Sequence, residues 1–288
     1  MSTPTFDLGI LGKSFLDGGD GGPLRYTPDQ MAQTCAELGL DLELTVRANG
    51  HIKPENVPNE LPAMVEAMAR RGRRILCIAL DTVRPDAPHW ARAIRTAKQL
   101  GIPQYRHRGF KWEAGKPFKP QIANFNAMAR EFAAVNKEVG IQALYQIHAG
   151  REMAGSAAWD LDLILGDIDP KLFGVAFDLR HVMVEQGFSW PNAIQLLAPR
   201  IAHLCVKSFR WEGRKVADVP LSSGVVDKDA VLQVVAAHGG PLPTVIHLDY
   251  MPTVPVPFAE RAGIVQTFRA DAEVLRGWLG ITVQEAAS

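Results

Sequence analysis

The chain has 288 residues, of which 47% are hydrophobic and 22% are charged, and its 31 basic residues balance 31 acidic residues. A neutral chain lacks the basic character typical of proteins that bind nucleic acid or anionic membranes, so we expect neither partner and favour a small molecule. No apolar run reaches the roughly 18 residues that a membrane span needs.

The three cysteines, Cys35, Cys77 and Cys205, are widely spaced and form no CxxC pair. Their odd number and spacing favour neither a disulfide framework nor a zinc knuckle. The first residues, MSTPTFDLGILGKSF, lack the basic and apolar regions of a signal peptide. We therefore expect a protein of the reducing cytoplasm.

Short apolar segments alternate with segments of helical periodicity along the whole chain. Eight apolar segments predict strands: FDLGIL, LDLELTV, RILCIAL, PQYRHRGF, IQALYQI, LFGVAFDL, RIAHLCVKSF and TVIHLDY. Helices are predicted at PAMVEAMARRG, HWARAIRTAKQLG, IANFNAMAREFAAVNKEVG, DAVLQVVAAHGG and FAERAGIVQTFRADAEVLRGWLG. Glycines that end helices directly before strands are expected at Gly39, Gly72, Gly101 and Gly140. No linker-like stretch divides the chain, so residues 1–288 are interpreted as one domain.

Eight strand-then-helix units of about 36 residues each predict an α/β protein, a (β/α)₈ TIM barrel. An open doubly wound sheet is the alternative. It is disfavoured because the segment DGGDGG after the first strand lacks the order GxGxxG and does not lead directly into a helix. We interpret that segment as a loop or lid rather than a phosphate-binding turn.

Polar residues lie near the carboxyl ends of the last four predicted strands. Residues two apart share one face of a strand, which groups Gln146 with His148, Asp178 with Arg180 (His181 follows), His203 with Cys205 and Lys207, and His247 with Asp249. Buried polar groups are costly unless they are paired or used, and the carboxyl ends of barrel strands meet at one mouth. The pattern therefore predicts a functional pocket, although Cys205 also fits simple packing.

The earlier strands add further candidates. LDLELTVRANGH offers Glu43, Arg47 and His51, and YRHRGF offers Arg106, His107 and Arg108. Arginine binds carboxylate, phosphate or sugar hydroxyls through a fixed fork of donors, although many arginines are only surface ion pairs. For Lys207, an ion pair with Asp178 or Asp249 is an alternative to a direct role in chemistry.

At these residues the chain resembles the sugar phosphate isomerase/epimerase family of the xylose isomerase-like TIM barrel superfamily. The fifth to seventh strands resemble a branch with the patterns Q-N-H-x-G, D-x-R-H and V-K-[DS]-F-x-W. LTVRANGHIKPENV is similar to the second-strand loop of that branch, and VPLSSGVVD is similar to a pL-G-x-G-x-[VI]-D loop of the family.

The resemblance implies a divalent metal held by Glu, Asp, His and Glu from strands five to eight. These positions fall on Gln146, Asp178, Cys205 and Asp249, of which only Asp178 is unchanged. Two carboxylates in place of three should weaken manganese or magnesium binding, whereas a Cys205 thiolate would favour zinc. A bound divalent ion and a metal-free site are both open alternatives.

The resemblance also implies proton transfer next to the carbonyl of a sugar or sugar derivative, as in an isomerase or epimerase. We assign Asp249 and His148 as base and acid, His181 as a further acid or base, and Lys207 as an electrostatic group. The expected substrate-binding residues are Arg47, His51, Arg106, His247 and Trp211.

Two other functions fit the same residues. Gln146 cannot accept a proton, so the usual pair of glutamate bases is missing, and a lyase or hydrolase acting on an oxidised (keto) glycoside needs only one good base. A non-catalytic sugar-binding barrel is the third hypothesis, with Trp112, Trp159, Trp190 and Trp211 stacking on sugar rings. The apolar stripe from Phe258 to Leu279 suggests a homo-oligomer, although it also fits the outer cover of a barrel.

Overall fold

The computed structural model describes residues 6–15, 26–251 and 256–281. Eight parallel strands close into a barrel. They are β1 (Leu8–Leu11), β2 (Asp41–Val46), β3 (Ile75–Leu80), β4 (Gln104–His107), β5 (Gln142–Gln146), β6 (Phe173–Asp178), β7 (Ile201–Val206) and β10 (Thr244–Ile246). Their order around the barrel is β1-β10-β7-β6-β5-β4-β3-β2. The TIM barrel predicted from the eight apolar segments is confirmed, and every predicted segment contains one of these strands.

Helices follow the strands and cover the barrel. They are α1 (Pro28–Leu38), α2 (Val57–Arg70), α3 (Trp90–Gln99), α4 (Phe118–Val139), α5 (Ala158–Leu165), α6 (Leu179–Gln186), α7 (Trp190–Leu197), α8 (Lys228–His238) and α9 (Ala262–Leu279). Gly39, Gly72, Gly101 and Gly140 have φ between 65° and 82°, where glycine avoids the Cβ clash of other residues, so the predicted helix ends are correct. The helices α1, α5, α6 and α7 also follow strands, as the eight predicted units require, although their segments were not among those named for helical periodicity.

The end of the predicted seventh strand was wrong. Strand β7 stops at Val206, and β8 (Ser208–Glu212) pairs antiparallel with β9 (Lys215–Val219) in a separate two-stranded hairpin. Trp211 lies on this hairpin and is half exposed. The predicted eighth strand is also shorter than expected, since β10 ends at Ile246 and leaves His247 and Asp249 in the segment that follows.

The apolar stripe of the last helix packs against the barrel of the same chain. Ile264, Val265, Phe268, Ala272 and Leu275 of α9 are all buried in the main core, so this stripe covers the barrel and gives no argument for a second copy. All three cysteines are free and buried. The DGGDGG segment lies outside the described residues. In the described part of the chain, no helix combines the length and apolar character needed to cross a membrane.

Candidate active site

Six side chains from six different strands or strand ends form one row of hydrogen bonds and ion pairs across the barrel mouth. The row runs through Glu43, Arg106, Gln146, Asp178, Lys207 and Asp249, and we call it the polar chain. A small apolar cluster, formed by Cys77, Leu144, Ala176 and Cys205, packs separately from the main core on the same strands. The sequence pattern therefore brings charged residues together where the strands end, with apolar residues of the same strands packed beside them.

Lys207 is the most enclosed cation of the polar chain, with only 3% of its side chain exposed. Its Nζ lies 2.6 Å from Asp249 Oδ2, 2.9 Å from His181 Nε2 and 3.2 Å from Asp178 Oδ2. The ammonium donates to Asp249, and it forms a close ion pair with Asp178 as well. The ion-pair alternative predicted for Lys207 is therefore present in the structure, with both carboxylates at once.

The charges of this group are mutually dependent. Burial alone would lower the pKa of Lys207, but Asp178 and Asp249 raise it above its usual value. Burial alone would raise the pKa of Asp178, but His181 and Lys207 lower it well below its usual range. The pKa of Asp249 is also lowered, because Lys207 and other cationic neighbours outweigh its burial. All three groups are thus charged at neutral pH, and Asp249 is a weak proton acceptor.

Gln146 joins two oppositely charged neighbours. Its amide nitrogen donates to Asp178 Oδ2 at 2.9 Å, and its carbonyl oxygen accepts from Arg106. This orientation follows from the partners, because a guanidinium only donates and a carboxylate only accepts. A glutamate at this position would place a second carboxylate against Asp178, so the neutral amide suits the row.

The inner end of the polar chain is an ion pair between Glu43 and Arg106, whose side chains are 0% and 8% exposed. His203 Nε2 and His247 Nε2 lie 3.8 Å and 3.6 Å from Glu43 Oε2. Burial lowers the pKa of His203 to about 4, against the opposing effect of Glu43. The Glu43 carboxylate thus lies between one permanent cation and two imidazoles.

A cavity of about 290 Å³ opens above the polar chain, close to the lower end of the ~300–1,000 Å³ range of small-molecule sites. Its basic lining residues outnumber its acidic ones, Asp81, Glu152 and Asp249. The basic residues are Lys13, Arg47, Arg106, Arg108, Lys111 and Lys207. Five of these basic side chains are ion-paired with carboxylates, and Arg108 has no ion pair among the described residues. The cavity is therefore lined by paired charges and lies at the carboxyl end of the barrel, where TIM-barrel active sites lie.

His148 is the neutral base candidate on the cavity wall. Its Nδ1 lies 2.9 Å from the carbonyl oxygen of Ala149, which can only accept, so Nδ1 carries the proton and Nε2 has the free lone pair. Partial desolvation and Lys207 lower the pKa of His148. Its ring packs on His181 with centroids 4.0 Å apart. Burial, with the charges of Lys207 and Arg180, keeps the pKa of His181 well below its usual value.

Comparison with protein families identifies the architecture by sequence. Residues 32–253 match the family model described as the xylose isomerase-like TIM barrel. The chain belongs to this family. A comparison with curated proteins gives no match.

Solved structures of xylose isomerase-like barrels superpose over nearly the whole chain. A D-tagatose 3-epimerase-like protein has 16% identity and a TM-score of 0.72, covering 98% of this chain and 100% of that one. The IolI protein with a bound zinc atom has 11% identity and a TM-score of 0.73, with coverages of 96% and 99%. The probable 3-DHS dehydratase AsbF from Bacillus anthracis has 15% identity, a TM-score of 0.67 and coverages of 93% and 98%. At these identities the likeness shows the fold.

The four positions that the resemblance assigned to a metal in this xylose isomerase-like barrel are differently engaged. Asp178 uses Oδ2 for Lys207 and Gln146 and uses Oδ1 for the backbone N–H of His181, at the start of α6. Burial raises the pKa of the Cys205 thiol well above its usual value. Donor atoms of Asp178, Cys205 and His247 nevertheless lie within 4.8 Å of one another. As they stand, these residues do not form the oxygen-rich set that manganese or magnesium requires.

Several predicted site residues lie elsewhere. Among the described residues, His51 and Trp211 do not line the cavity: His51 is buried with Nδ1 2.9 Å from Thr45 Oγ1, and Trp211 packs edge-on against Phe209. Arg180 binds Asp218 of the hairpin at 2.8 Å rather than joining Asp178. Trp112, Trp159 and Trp190 are also absent from the lining of the cavity in the described part of the chain. Arg47, Arg106, His148, Lys207, His247 and Asp249 do line it.

Sequence reasoning missed four charged residues of the cavity lining, Lys13, Asp81, Lys111 and Glu152. Lys13 lies 3.7 Å from Asp249 Oδ1, and Asp81 lies 3.2 Å from Arg47 Nε. Both follow a barrel strand closely, two residues after β1 and directly after β3. Polar residues near the carboxyl ends of barrel strands line the mouth, and this rule, which identified Asp178, would also have identified Lys13 and Asp81.

The loop VPLSSGVVD, which the resemblance singles out, has a structural role in this barrel. Asp227 caps α8, where its side chain accepts from the N–H of Ala230 at 2.9 Å. A Cβ at Gly224 would lie 2.0 Å from Ser208 Oγ and 2.9 Å from the nitrogen of Phe209. Ser208 Oγ in turn accepts from the N–H of Val226 at 3.0 Å. The loop thus docks closely on the start of the hairpin.

Substituting Gly224→Ala is expected to lower the free energy of unfolding by about 1–3 kcal/mol, the usual cost of overpacking. The matched control is Gly277→Ala in α9, where a Cβ meets nothing within 4 Å. That change should stabilise by roughly 0.5–1 kcal/mol, because alanine has the higher helix propensity. Urea unfolding of the two variants checks both signs, and equal midpoints would contradict the close approach at Gly224.

Proposed function

We propose that the protein catalyses proton transfer next to the carbonyl of a sugar or sugar-derived keto compound, as an isomerase or epimerase. The observation that carries this proposal is the single cavity that holds a neutral imidazole, His148, together with the cations Arg47 and Arg106. A base removes the α-proton, and cations stabilise the negative charge that develops on the carbonyl oxygen. The barrel neighbours described as sugar epimerases support this class of reaction.

The proposed role of each residue depends on the contacts that its side chain already makes. His148 Nε2 is the proposed base, and His181 positions its ring from below. Arg47 and Arg106 line the cavity and are the proposed partners of the carbonyl oxygen. Asp249, which the sequence suggested as a base, is instead proposed to hold Lys207, because its lowered pKa makes it a poor proton acceptor.

The lining also favours a particular kind of substrate. Six basic side chains face three acidic ones around a volume suited to a small molecule. Arg108 and Lys111 lie on the exposed part of this lining. Lys111 is paired with Glu152, whereas Arg108 has no ion pair among the described residues and is the proposed partner of a carboxylate or phosphate. We therefore propose a small carbohydrate derivative that carries an anionic group.

Deuterium exchange tests the reaction directly. The protein is incubated in D₂O with a panel of keto sugars and keto acids of sugars, with and without a phosphate, and α-deuterium is followed by NMR and mass spectrometry. Incorporation with at least one compound is expected. If every compound stays unlabelled, the proposal fails and a sugar-binding protein without catalysis becomes the better reading.

Elimination is the second candidate function, and one observation favours it. Gln146 supplies no second base, and its amide is committed to Asp178 and Arg106. A lyase or dehydratase needs one base and a proton donor for the leaving group, and one barrel neighbour is a probable dehydratase. Product mass separates the two: it is conserved in isomerisation, whereas elimination releases water or an aglycone.

A further inference from the structure

The cation at the centre of the polar chain is the ammonium group of Lys207. The carboxylates of Asp178 and Asp249, which the family resemblance assigns to a divalent ion, share the ammonium of Lys207 at 3.2 Å and 2.6 Å. Lys207 is 3% exposed, so water screens this group little. A positive charge thus already lies between the two carboxylates.

The charges around this position balance without any further ion. Three carboxylates, Glu43, Asp178 and Asp249, face three cations. The cations are Arg106, Lys207 and Lys13. A divalent ion would add uncompensated positive charge close to Lys207 and Arg106, in a buried region where like charges repel strongly.

The atoms that could bind a metal ion are already engaged in other contacts at Gln146 and Asp178. Gln146 turns its NH₂ group toward Asp178, so its only metal-binding atom, the carbonyl oxygen, faces Arg106. Both oxygens of Asp178 are engaged by N–H donors. Donor atoms of Asp178, Cys205 and His247 lie within 4.8 Å of one another. His247 has a buried Nε2 without a hydrogen bond. Cys205 packs in an apolar cluster with Cys77 and Leu144.

We infer that the Lys207 ammonium takes the place of the divalent cation in this barrel, so that the site binds neither manganese nor zinc. The inference concerns the same site as the proposed function and rests on that function only for its relevance to catalysis. It predicts that Asp178 and Asp249 hold a lysine, and that removing the lysine exposes a pair of carboxylates able to bind a metal.

Metal titration tests this inference without any substrate. Purified wild-type protein is dialysed against chelator and titrated with Mn²⁺ and Zn²⁺, and bound metal is measured by calorimetry and elemental analysis. Wild type and Asp249→Asn are expected to bind the same background amount. Lys207→Ala is expected to gain one Mn²⁺ per chain with an affinity at least tenfold above wild type.

Lys207→Arg is the matched control, because it keeps the positive charge and should not gain Mn²⁺. One Mn²⁺ or Zn²⁺ per wild-type chain that is lost in Asp249→Asn or Cys205→Ser would overturn the inference. So would a Lys207→Ala chain that is folded by circular dichroism yet gains no affinity. If Lys207→Ala does not fold, the comparison of wild type with Asp249→Asn and Cys205→Ser decides alone. Failure of deuterium exchange would leave these binding results unaffected.

Discussion

Replacing Lys207 by methionine is expected to lower the free energy of unfolding by about 3–5 kcal/mol at pH 7, the usual effect of removing one partner of a buried ion pair. Methionine keeps the length of the side chain but leaves Asp178, which is 0% exposed, and Asp249, which is 26% exposed, without their shared cation. Urea unfolding at several pH values measures the effect.

The pH dependence of this loss has a defined sign. In the wild type the pKa of Asp178 is lowered, so its stabilising contribution is present above the pKa of the unfolded chain, about 4, and is lost as the pH falls. In Lys207→Met the buried carboxyl has lost the ammonium that helped to lower its pKa, so its folded pKa is expected to rise. The difference between the two proteins should therefore be largest above about pH 5 and should shrink toward pH 4.

Lys207→Arg provides the comparison, since it preserves charge but changes shape and should lose less stability than Lys207→Met at pH 7. A constant difference between wild type and Lys207→Met from pH 4 to pH 8 would mean that packing, and not charge, explains the role of Lys207.

Replacing His148 by glutamine is expected to lower the rate of α-proton exchange by about 10²–10⁴-fold, the usual contribution of a general base. Glutamine keeps a polar side chain of similar size but has no lone pair able to accept a proton near neutral pH. Because His148 is exposed at the mouth, the free energy of unfolding should change little. The substrate for this measurement is whichever compound exchanges fastest with the wild type.

The pH profile gives a second readout for His148. Its pKa is lowered, so the neutral, basic form persists below pH 6.5, and the wild-type exchange rate should stay on its plateau there and fall only at more acidic pH. The control is His238→Gln at the exposed end of α8, which should leave rate and profile unchanged. An unaltered exchange rate in His148→Gln would assign the base elsewhere.

The fold was predictable because it depends on local patterns. Apolar segments such as RILCIAL and LFGVAFDL became the fully buried strands β3 and β6, and the parallel arrangement follows from the helices between them. The carboxyl ends of barrel strands meet at one mouth, and this rule correctly brought Gln146, Asp178, Lys207 and Asp249 together. The hairpin after β7 was missed, because Ser208 and Phe209 follow the apolar strand directly and only the antiparallel pairing of SFRWE with KVADV separates the two strands.

The contacts within the site were not predictable, because they depend on register between distant segments. The register between β6 and β7 shifts at Val175 and Ala176, and this shift places Asp178 opposite Cys205. No local pattern marks such a shift. Likewise, Glu43 and Arg106 lie on strands that are not neighbours, so their ion pair could not be inferred from either strand alone. His51 was expected to bind substrate, but it is buried, contacts Thr45 Oγ1 and is not among the described residues that line the cavity.

The polar chain has a consequence for altering this barrel by mutation. Carboxylates, cations and one amide follow one another so that each member has neighbours of complementary hydrogen-bonding character. A single change of charge leaves its neighbours mismatched: a glutamate at position 146 would face Asp178, and a neutral residue at 106 would leave Glu43 buried alone. A new charge pattern in which every member of the row stays paired would therefore need coupled substitutions, introduced at adjacent members in the same step.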